Sequence, residues 1–113
     1  MIERRKYKRI PDTIQVKYEI INDKMKVPYS SYTKDISAGG FLIRINSYIP
    51  VNSIIKLKFY IKDHDEFIPA EARVVRIQEI VKEKLYDAGI EFVIIEKKDF
   101  DLLSQYVTNK INL

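Results

Sequence analysis

The chain has 113 residues, which is enough for one domain with its own core but too few for two. It contains no cysteine, and this excludes a disulfide framework, a thiolate metal site and a cysteine nucleophile. The formal net charge is +4; five basic side chains and one glutamate fall in the first nine residues, which leaves 15 basic and 15 acidic residues elsewhere. Because the excess charge is confined to one arm, we expect a compact anionic partner rather than a nucleic-acid polymer.

Targeting signals are missing from the sequence. No run of about 18 apolar residues occurs, and the basic N-terminus is not followed by an apolar stretch, so neither a membrane span nor a signal peptide is predicted. The lack of cysteine fits a reducing compartment. We therefore expect a cytoplasmic protein.

Most of the chain alternates apolar and polar residues with the two-residue period of half-buried strands. This pattern predicts six strands, at 14–20, 29–36, 41–45, 55–61, 67–80 and 85–93. Turn signals separate them, including Asn22-Asp23-Lys24, the pair Gly39-Gly40 and the polar hairpin KDHDE at 62–66. Pro69 has no amide hydrogen to donate, so it predicts an edge position near the start of the fifth strand.

The pattern changes to helical spacing only at the C-terminus, where Phe100, Leu103, Val107 and Ile111 recur on one face. Six antiparallel strands with one terminal helix are best satisfied by a closed or nearly closed barrel, because closure removes exposed strand edges. We therefore predict an all-β single domain over 1–113. Its parts are a basic arm at 1–10, a six-stranded antiparallel barrel at 11–94 and a C-terminal α-helix at 96–112.

Two sets of residues are candidates for ligand binding, and the first is the arginine-rich arm. In an extended segment Arg5 and Arg9 lie on one side, with their Cα atoms about 13 Å apart, and Arg4 precedes them. The planar fork of arginine can grip phosphate and can pair with O6 and N7 of guanine. The alternative is a solvated basic tail.

The second set is the turn around Asp35, Ser37, Gly39 and Gly40. The carboxylate of Asp35 offers acceptors that match the N1 and N2 donors of guanine, and Ser37 adds a hydroxyl group. The glycines permit positive φ and close approach of a ligand. The alternative is a polar β-turn in which Asp35 and Ser37 satisfy nearby backbone amides.

Taken together, the patterns Arg-x-x-x-Arg and Asp-x-Ser-x-x-Gly, in this order and at this separation, resemble the PilZ domain. The resemblance extends over essentially the whole chain, including the segments GGFLI, AEARVVRI and AGIEF and the final helix. It implies a six-stranded PilZ-type barrel that binds the bacterial second messenger cyclic di-GMP.

The resemblance also implies roles for single residues. Arg5 and Arg9 would grip phosphate and the Hoogsteen edges of guanine, while Asp35 and Ser37 would bond a guanine from the barrel side. Gly40 would keep the turn open. An arginine just before the first motif arginine, as Arg4 is here, accompanies in this family an intercalated pair of ligand molecules rather than a single one.

Other polar residues carry weaker signals. Arg76 shares strand parity with Ala70, Ala72 and Val74, so it would emerge at the barrel mouth near the ligand or form a salt bridge at the rim. His64 lies in the KDHDE turn, where a solvated position is far commoner than a metal or catalytic role. No Ser, His and acid set has a plausible spacing, so we predict neither an enzyme nor a cofactor or metal other than the ligand.

The sequence leaves three functions open. The first is a cyclic di-GMP receptor whose arm becomes ordered over the barrel and presents a new surface to a downstream protein. The second is a PilZ-type adaptor of motility or pilus machinery that does not depend on nucleotide. The third is single-stranded nucleic-acid binding, against which the local charge and the lack of a clustered aromatic motif count.

Overall fold

The computed structural model describes residues 7–21, 29–62 and 64–111, and these form seven β-strands and one α-helix. The elements in chain order are β1 (Ile10–Pro11), β2 (Gln15–Ile20), β3 (Tyr29–Ser37), β4 (Gly40–Ile45), β5 (Ile54–Phe59), β6 (Ile68–Val81), β7 (Leu85–Ile94) and α1 (Lys97–Ile111). The turn predicted at Asn22-Asp23-Lys24 and residue Asp63 of the KDHDE hairpin lie outside the described residues.

Six of the strands close into a barrel. The pairings run β2–β3–β4–β7–β6–β5 and return from β5 to β2, and every pairing is antiparallel. The prediction of a closed six-stranded barrel with one C-terminal helix is confirmed. The additional strand, β1, was not predicted because two residues are too short to show a period.

The interior is filled by alternate residues of the strands. Phe41 and Phe59 are at most 1 % exposed, and their rings meet edge to face with centroids 4.9 Å apart. Phe92 packs against both of them. Burying one such aromatic side chain contributes about 1.5–3 kcal/mol, so this cluster is a main source of barrel stability.

Helix α1 packs on the barrel next to β1 and β3. Its buried apolar residues Leu103 and Val107 belong to the predicted stripe and join the core. The position of Pro69 also follows the prediction: it pairs with Lys58 of β5, whereas pairing of β6 with β7 begins only at Glu71. Pro69 thus has a strand neighbour on one side only.

The described strands contain four register shifts, one between β3 and β4 and three between β6 and β7. Two of these β-bulges redirect polar side chains. In β3 the register shifts between Thr33 and Asp35, and in β6 it shifts between Val74 and Arg76. Each bulge adds one residue to its strand, so the alternation of inward and outward side chains reverses beyond it. This reversal decides which polar groups reach the outer surface.

The single helix in the described part of the chain is not both long and apolar enough to cross a membrane. Among the same residues, no cluster of three or more His, Cys, Asp or Glu side chains is arranged to hold a metal ion.

Candidate functional site

The short strand β1 brings the two sequence motifs together. Ile10 pairs with Ile36, and Pro11 pairs with Asp35, so the residue just before β1 is held beside the end of β3. As a result Nη1 of Arg9 lies 3.7 Å from Oδ1 of Asp35. Arg4 and Arg5, the other predicted arginines of the arm, lie outside the described residues.

Asp35 owes its orientation to the bulge in β3. Before the bulge Ser31 and Thr33 point inward and are buried, whereas beyond it Ile36 is fully buried and Asp35 is only half-buried. Its Oδ1 atom is nevertheless screened from water and has no hydrogen-bond partner among the described groups. A buried acceptor without a donor is costly, on the order of 1–3 kcal/mol, so this atom is available to a ligand that brings an N–H group.

Ser37 makes its hydrogen bonds within the turn. Its hydroxyl group accepts from the amides of Gly39 and Gly40, each at 3.2 Å, and donates to the carbonyl oxygen of Gly40 at 3.0 Å. The side chain is buried. Ser37 therefore bonds to nearby backbone groups, as expected for a polar β-turn. Oδ1 of Asp35 makes no such bond among the described residues.

The two glycines of the turn serve close packing rather than an unusual backbone conformation. The positive φ that glycine permits is not used, because none of the chain's three glycines has it. A Cβ atom on Gly40 would lie 2.0 Å from the carbonyl oxygen of Ile90, and one on Gly39 would lie 2.6 Å from Cδ2 of Tyr7. Gly40 thus lets β4 approach β7, where a role in keeping the turn open was expected.

A cavity of about 180 Å³ lies beside these groups. It is lined by Tyr7, Arg9, Ser37, Gly39, Gly40, Val75, Ile90 and Glu91. Four of the sequence-predicted residues, Arg9, Ser37, Gly39 and Gly40, therefore share one cavity. Asp35 stands next to it through its contact with Arg9.

Sequence reasoning missed four residues of this lining: Tyr7, Val75, Ile90 and Glu91. Tyr7 could have been found, since it lies midway between the two motif arginines. The others had no local signal, because their position depends on how β6 and β7 pair with distant strands.

Arg76 does not line the cavity, and the β6 bulge explains why. Ala72 and Val74 face inward as assumed, but the register shift after Val74 directs both Val75 and Arg76 to the outside. The Arg76 side chain lies along Gly89, with Nε 3.7 Å from where a Cβ on that glycine would be. Val75 takes the position in the cavity wall instead.

A second charged group, on β4 and β7, is satisfied internally. Arg44 donates from Nε and Nη2 to the two carboxylate oxygens of Asp87, at 2.9 and 3.2 Å, and Nζ of Lys34 lies 3.6 Å from Oδ2. The hydrogen bonds from Arg44 hold the pKa of Asp87 below its usual range, although burial acts in the opposite direction. These charges stabilise the β4–β7 pair and are not free for a ligand.

A larger cavity, about 540 Å³, lies along β2, β5 and β6 and the segment 94–96. Its charged lining consists of three lysines and three glutamates: Lys17, Lys56, Lys58, Glu19, Glu71 and Glu96. None of the motif residues that the structure describes borders it. The smaller cavity is the candidate site because it combines a cation, an unsatisfied acceptor nearby and a glycine turn.

A closed barrel with a cation, an acceptor and a glycine turn beside one outer cavity has the geometry of a small binding module. The family model of the PilZ domain matches residues 3–109, and the chain belongs to that family. The predicted resemblance is confirmed. No curated protein matches the chain significantly.

Solved structures share the fold at low sequence identity. The inhibitor of motility MotI/DgrA from Bacillus subtilis superposes with a TM-score of 0.81 and 22 % identity, over 98 % of this chain and 53 % of that one. YcgR from Escherichia coli, in complex with c-di-GMP, has a TM-score of 0.77 and 12 % identity, over 98 % and 47 %. The K. pneumonia MrkH–c-di-GMP complex has a TM-score of 0.77 and 16 % identity, over 97 % and 52 %. The chain spans about half the length of these proteins.

Proposed function

We propose that the chain is a cyclic di-GMP receptor module that binds its ligand between the arginine-rich arm and the turn after β3. The observation that carries this proposal is the pairing of Arg9 with Asp35 beside the cavity, where Oδ1 of Asp35 has no hydrogen bond among the described residues. The site thus offers a cation and an acceptor side by side. A guanine nucleotide with a phosphate diester has both complementary groups.

The chemistry of each group supports this ligand. The N1 and N2 hydrogens of guanine can donate to the carboxylate of Asp35, which has no other donor within hydrogen-bond distance among the described groups. At 3.7 Å, the Arg9 guanidinium is attracted to Asp35 without being bound closely, so its N–H groups can bond to phosphate or to O6 and N7 of guanine. Arg4 and Arg5 would add further charge from the arm.

The size of the cavity bears on how the ligand is held. At about 180 Å³ it is smaller than the roughly 300–1,000 Å³ typical of enclosed small-molecule sites. A cyclic dinucleotide would therefore seat one guanine against the turn and leave the rest for the arm to cover. This arrangement accommodates a single molecule or an intercalated pair.

The output of such a module is a change in surface. We propose that the ligand orders the arm over the barrel of a cytoplasmic, single-domain unit, and that a downstream protein recognises the result. Two of the similar structures, YcgR and MrkH, were solved with c-di-GMP, which supports the choice of ligand.

The test is calorimetric titration of cyclic di-GMP into the wild-type protein and into Arg9→Ala at physiological salt, with GTP as the control ligand. We expect micromolar or tighter binding to the wild type, a loss in the variant and no binding of GTP. The titration also counts ligands per chain. Absence of binding to the wild type would refute the receptor function.

A second function is favoured by the likeness to the inhibitor of motility MotI/DgrA. In that case the chain is an adaptor that docks on a protein through its barrel whether or not nucleotide is present. Its signature is a partner whose binding is unchanged by Arg9→Ala, by Asp35→Ala and by added cyclic di-GMP. A partner whose affinity changes with the ligand supports the receptor instead.

A further inference from the structure

Tyr7 connects the candidate ligand cavity to the C-terminal helix. Its ring lines the cavity together with Arg9, and it packs so closely on the turn that a Cβ on Gly39 would approach Cδ2 to 2.6 Å. The same ring meets Phe100 of α1 edge to face, with centroids 5.6 Å apart. One side chain of the arm therefore contacts both the turn and the helix.

A second contact with α1 lies just after β1. Asp12, which follows β1, accepts a hydrogen bond of 2.6 Å from the hydroxyl group of Tyr106. The backbone carbonyl of Asp12 in turn accepts from Thr33, which is buried in β3. Helix α1 is thus attached to the segment around β1 at two points, near its start through Phe100 and near its end through Tyr106.

We propose that Tyr7 is a positioning residue that couples the seating of α1 to ligand affinity. The coupling rests on the proposed cyclic di-GMP function, and Arg9 lies two residues from Tyr7 in the same short segment. Packing of Tyr7 between Gly39 and Phe100 fixes the C-terminal end of the arm, next to Arg9, before the ligand arrives, so less conformational entropy is lost on binding. By linkage, a ligand that holds the arm must also hold α1.

Phe100 is the informative position, because it does not line the cavity. An edge-to-face aromatic pair contributes about 0.5–1.5 kcal/mol, which corresponds to roughly a two- to tenfold change in affinity if it is lost from the binding-competent state. We expect Phe100→Ala to weaken cyclic di-GMP binding by that factor. Phe100→Tyr, which keeps the ring, should bind like the wild type.

The matched control is Phe67→Ala. Phe67 is also half-buried and also meets another ring, that of Tyr60, edge to face at 5.7 Å, but it contributes nothing to the cavity. Its replacement should lower the stability of the barrel and leave the ligand affinity unchanged. If both variants weaken binding equally, the effect reflects general destabilisation and the coupling is refuted.

The experiment measures calorimetric affinity for the wild type, Phe100→Ala, Phe100→Leu, Phe100→Tyr and Phe67→Ala, with amide exchange of α1 in the wild type. Phe100→Leu keeps most of the volume and serves if the alanine variant does not fold. We expect added ligand to increase protection of the amides of residues 100–104. If the wild type binds but Phe100→Ala and Phe100→Leu bind with the same affinity as the wild type, or if α1 gains no protection, the coupling alone is overturned. No wild-type binding overturns the receptor function and the coupling together.

Discussion

Two residues at the candidate site are in unusual surroundings: Asp35 has a buried oxygen without a hydrogen bond among the described residues, and Gly40 has no room for a side chain. Oδ1 of Asp35 is shielded from water without a hydrogen-bond donor among the described residues, and Arg9 approaches it only to 3.7 Å. Gly40 lies so close to β7 that no side chain fits there. Each feature leads to a substitution with a defined outcome.

Replacing Asp35 by Asn separates ligand binding from stability. The amide keeps the size of the side chain but replaces one acceptor with a donor, which opposes the N1 and N2 hydrogens of guanine. We expect cyclic di-GMP affinity to fall by about 1–3 kcal/mol, or five- to more than hundredfold, measured by calorimetry. Thermal unfolding should not move to much lower temperature, since the neutral amide is easier to desolvate than the carboxylate and the partly exposed pair with Arg9 contributes little. The exposed Asp65→Asn is the control and should leave affinity unchanged.

Gly40 on β4 and Gly89 on the neighbouring strand β7 have different amounts of room for a side chain. A Cβ on Gly40 meets the Ile90 carbonyl oxygen at 2.0 Å, whereas one on Gly89 finds its nearest neighbour, Cβ of Arg76, at 3.6 Å. Overpacking against backbone costs about 1–3 kcal/mol, so Gly40→Ala should lower the free energy of unfolding by at least that amount. Gly89→Ala should cost much less. Equal losses in chemical denaturation would show that the close approach of β4 to β7 is not what requires Gly40.

At the scale of elements, the bulges and the short strand β1 build the site. The β3 bulge directs Asp35 outward, the β6 bulge directs Val75 into the cavity wall, and β1 holds Arg9 against the end of β3. The β4–β7 pair behind the cavity is joined by the Arg44–Asp87 ion pair. Its contribution to stability should depend on pH.

The hydrogen bonds from Arg44 lower the pKa of Asp87 in the folded protein. Asp87 therefore stabilises the fold at neutral pH, and this stabilisation is lost as the pH falls from near 3.8 through the lower folded value. We expect the stability difference between wild type and Asp87→Asn, from denaturant titrations, to shrink over that acidic range. Asp101→Asn removes an exposed pair with Lys97 and should show almost no such difference.

At the scale of the whole molecule, ligand binding adds to folding stability. A ligand that binds only the folded state at a hundred times its Kd stabilises by about 2.7 kcal/mol, which for a domain of this size raises the unfolding midpoint by on the order of 10 °C. We expect this shift with cyclic di-GMP in differential scanning fluorimetry of the wild type. Arg9→Ala should show little of it. An equal shift with GTP would point to nonspecific anion binding.

Much of the architecture could be predicted from the sequence. The strand boundaries, the helix stripe with Leu103 and Val107, and the edge position of Pro69 follow from local periodicity and from the missing amide hydrogen of proline. The spacing of the two motifs led to the correct family. Of the predicted site, the structure brings Arg9, Asp35, Ser37, Gly39 and Gly40 together, whereas Arg4 and Arg5 lie outside the described residues.

Patterns within a few residues were enough to predict the strands, the terminal helix and the residue types of the candidate site. Only the folded chain showed that Asp35 faces outward with an oxygen that has no hydrogen bond among the described residues, that Val75 rather than Arg76 borders the cavity, and that Tyr7 reaches α1. The physical reason is that bulges and ring contacts arise from the register of strands distant in sequence. A shift of one residue reverses every side chain beyond it, and nothing within the segment itself signals that shift.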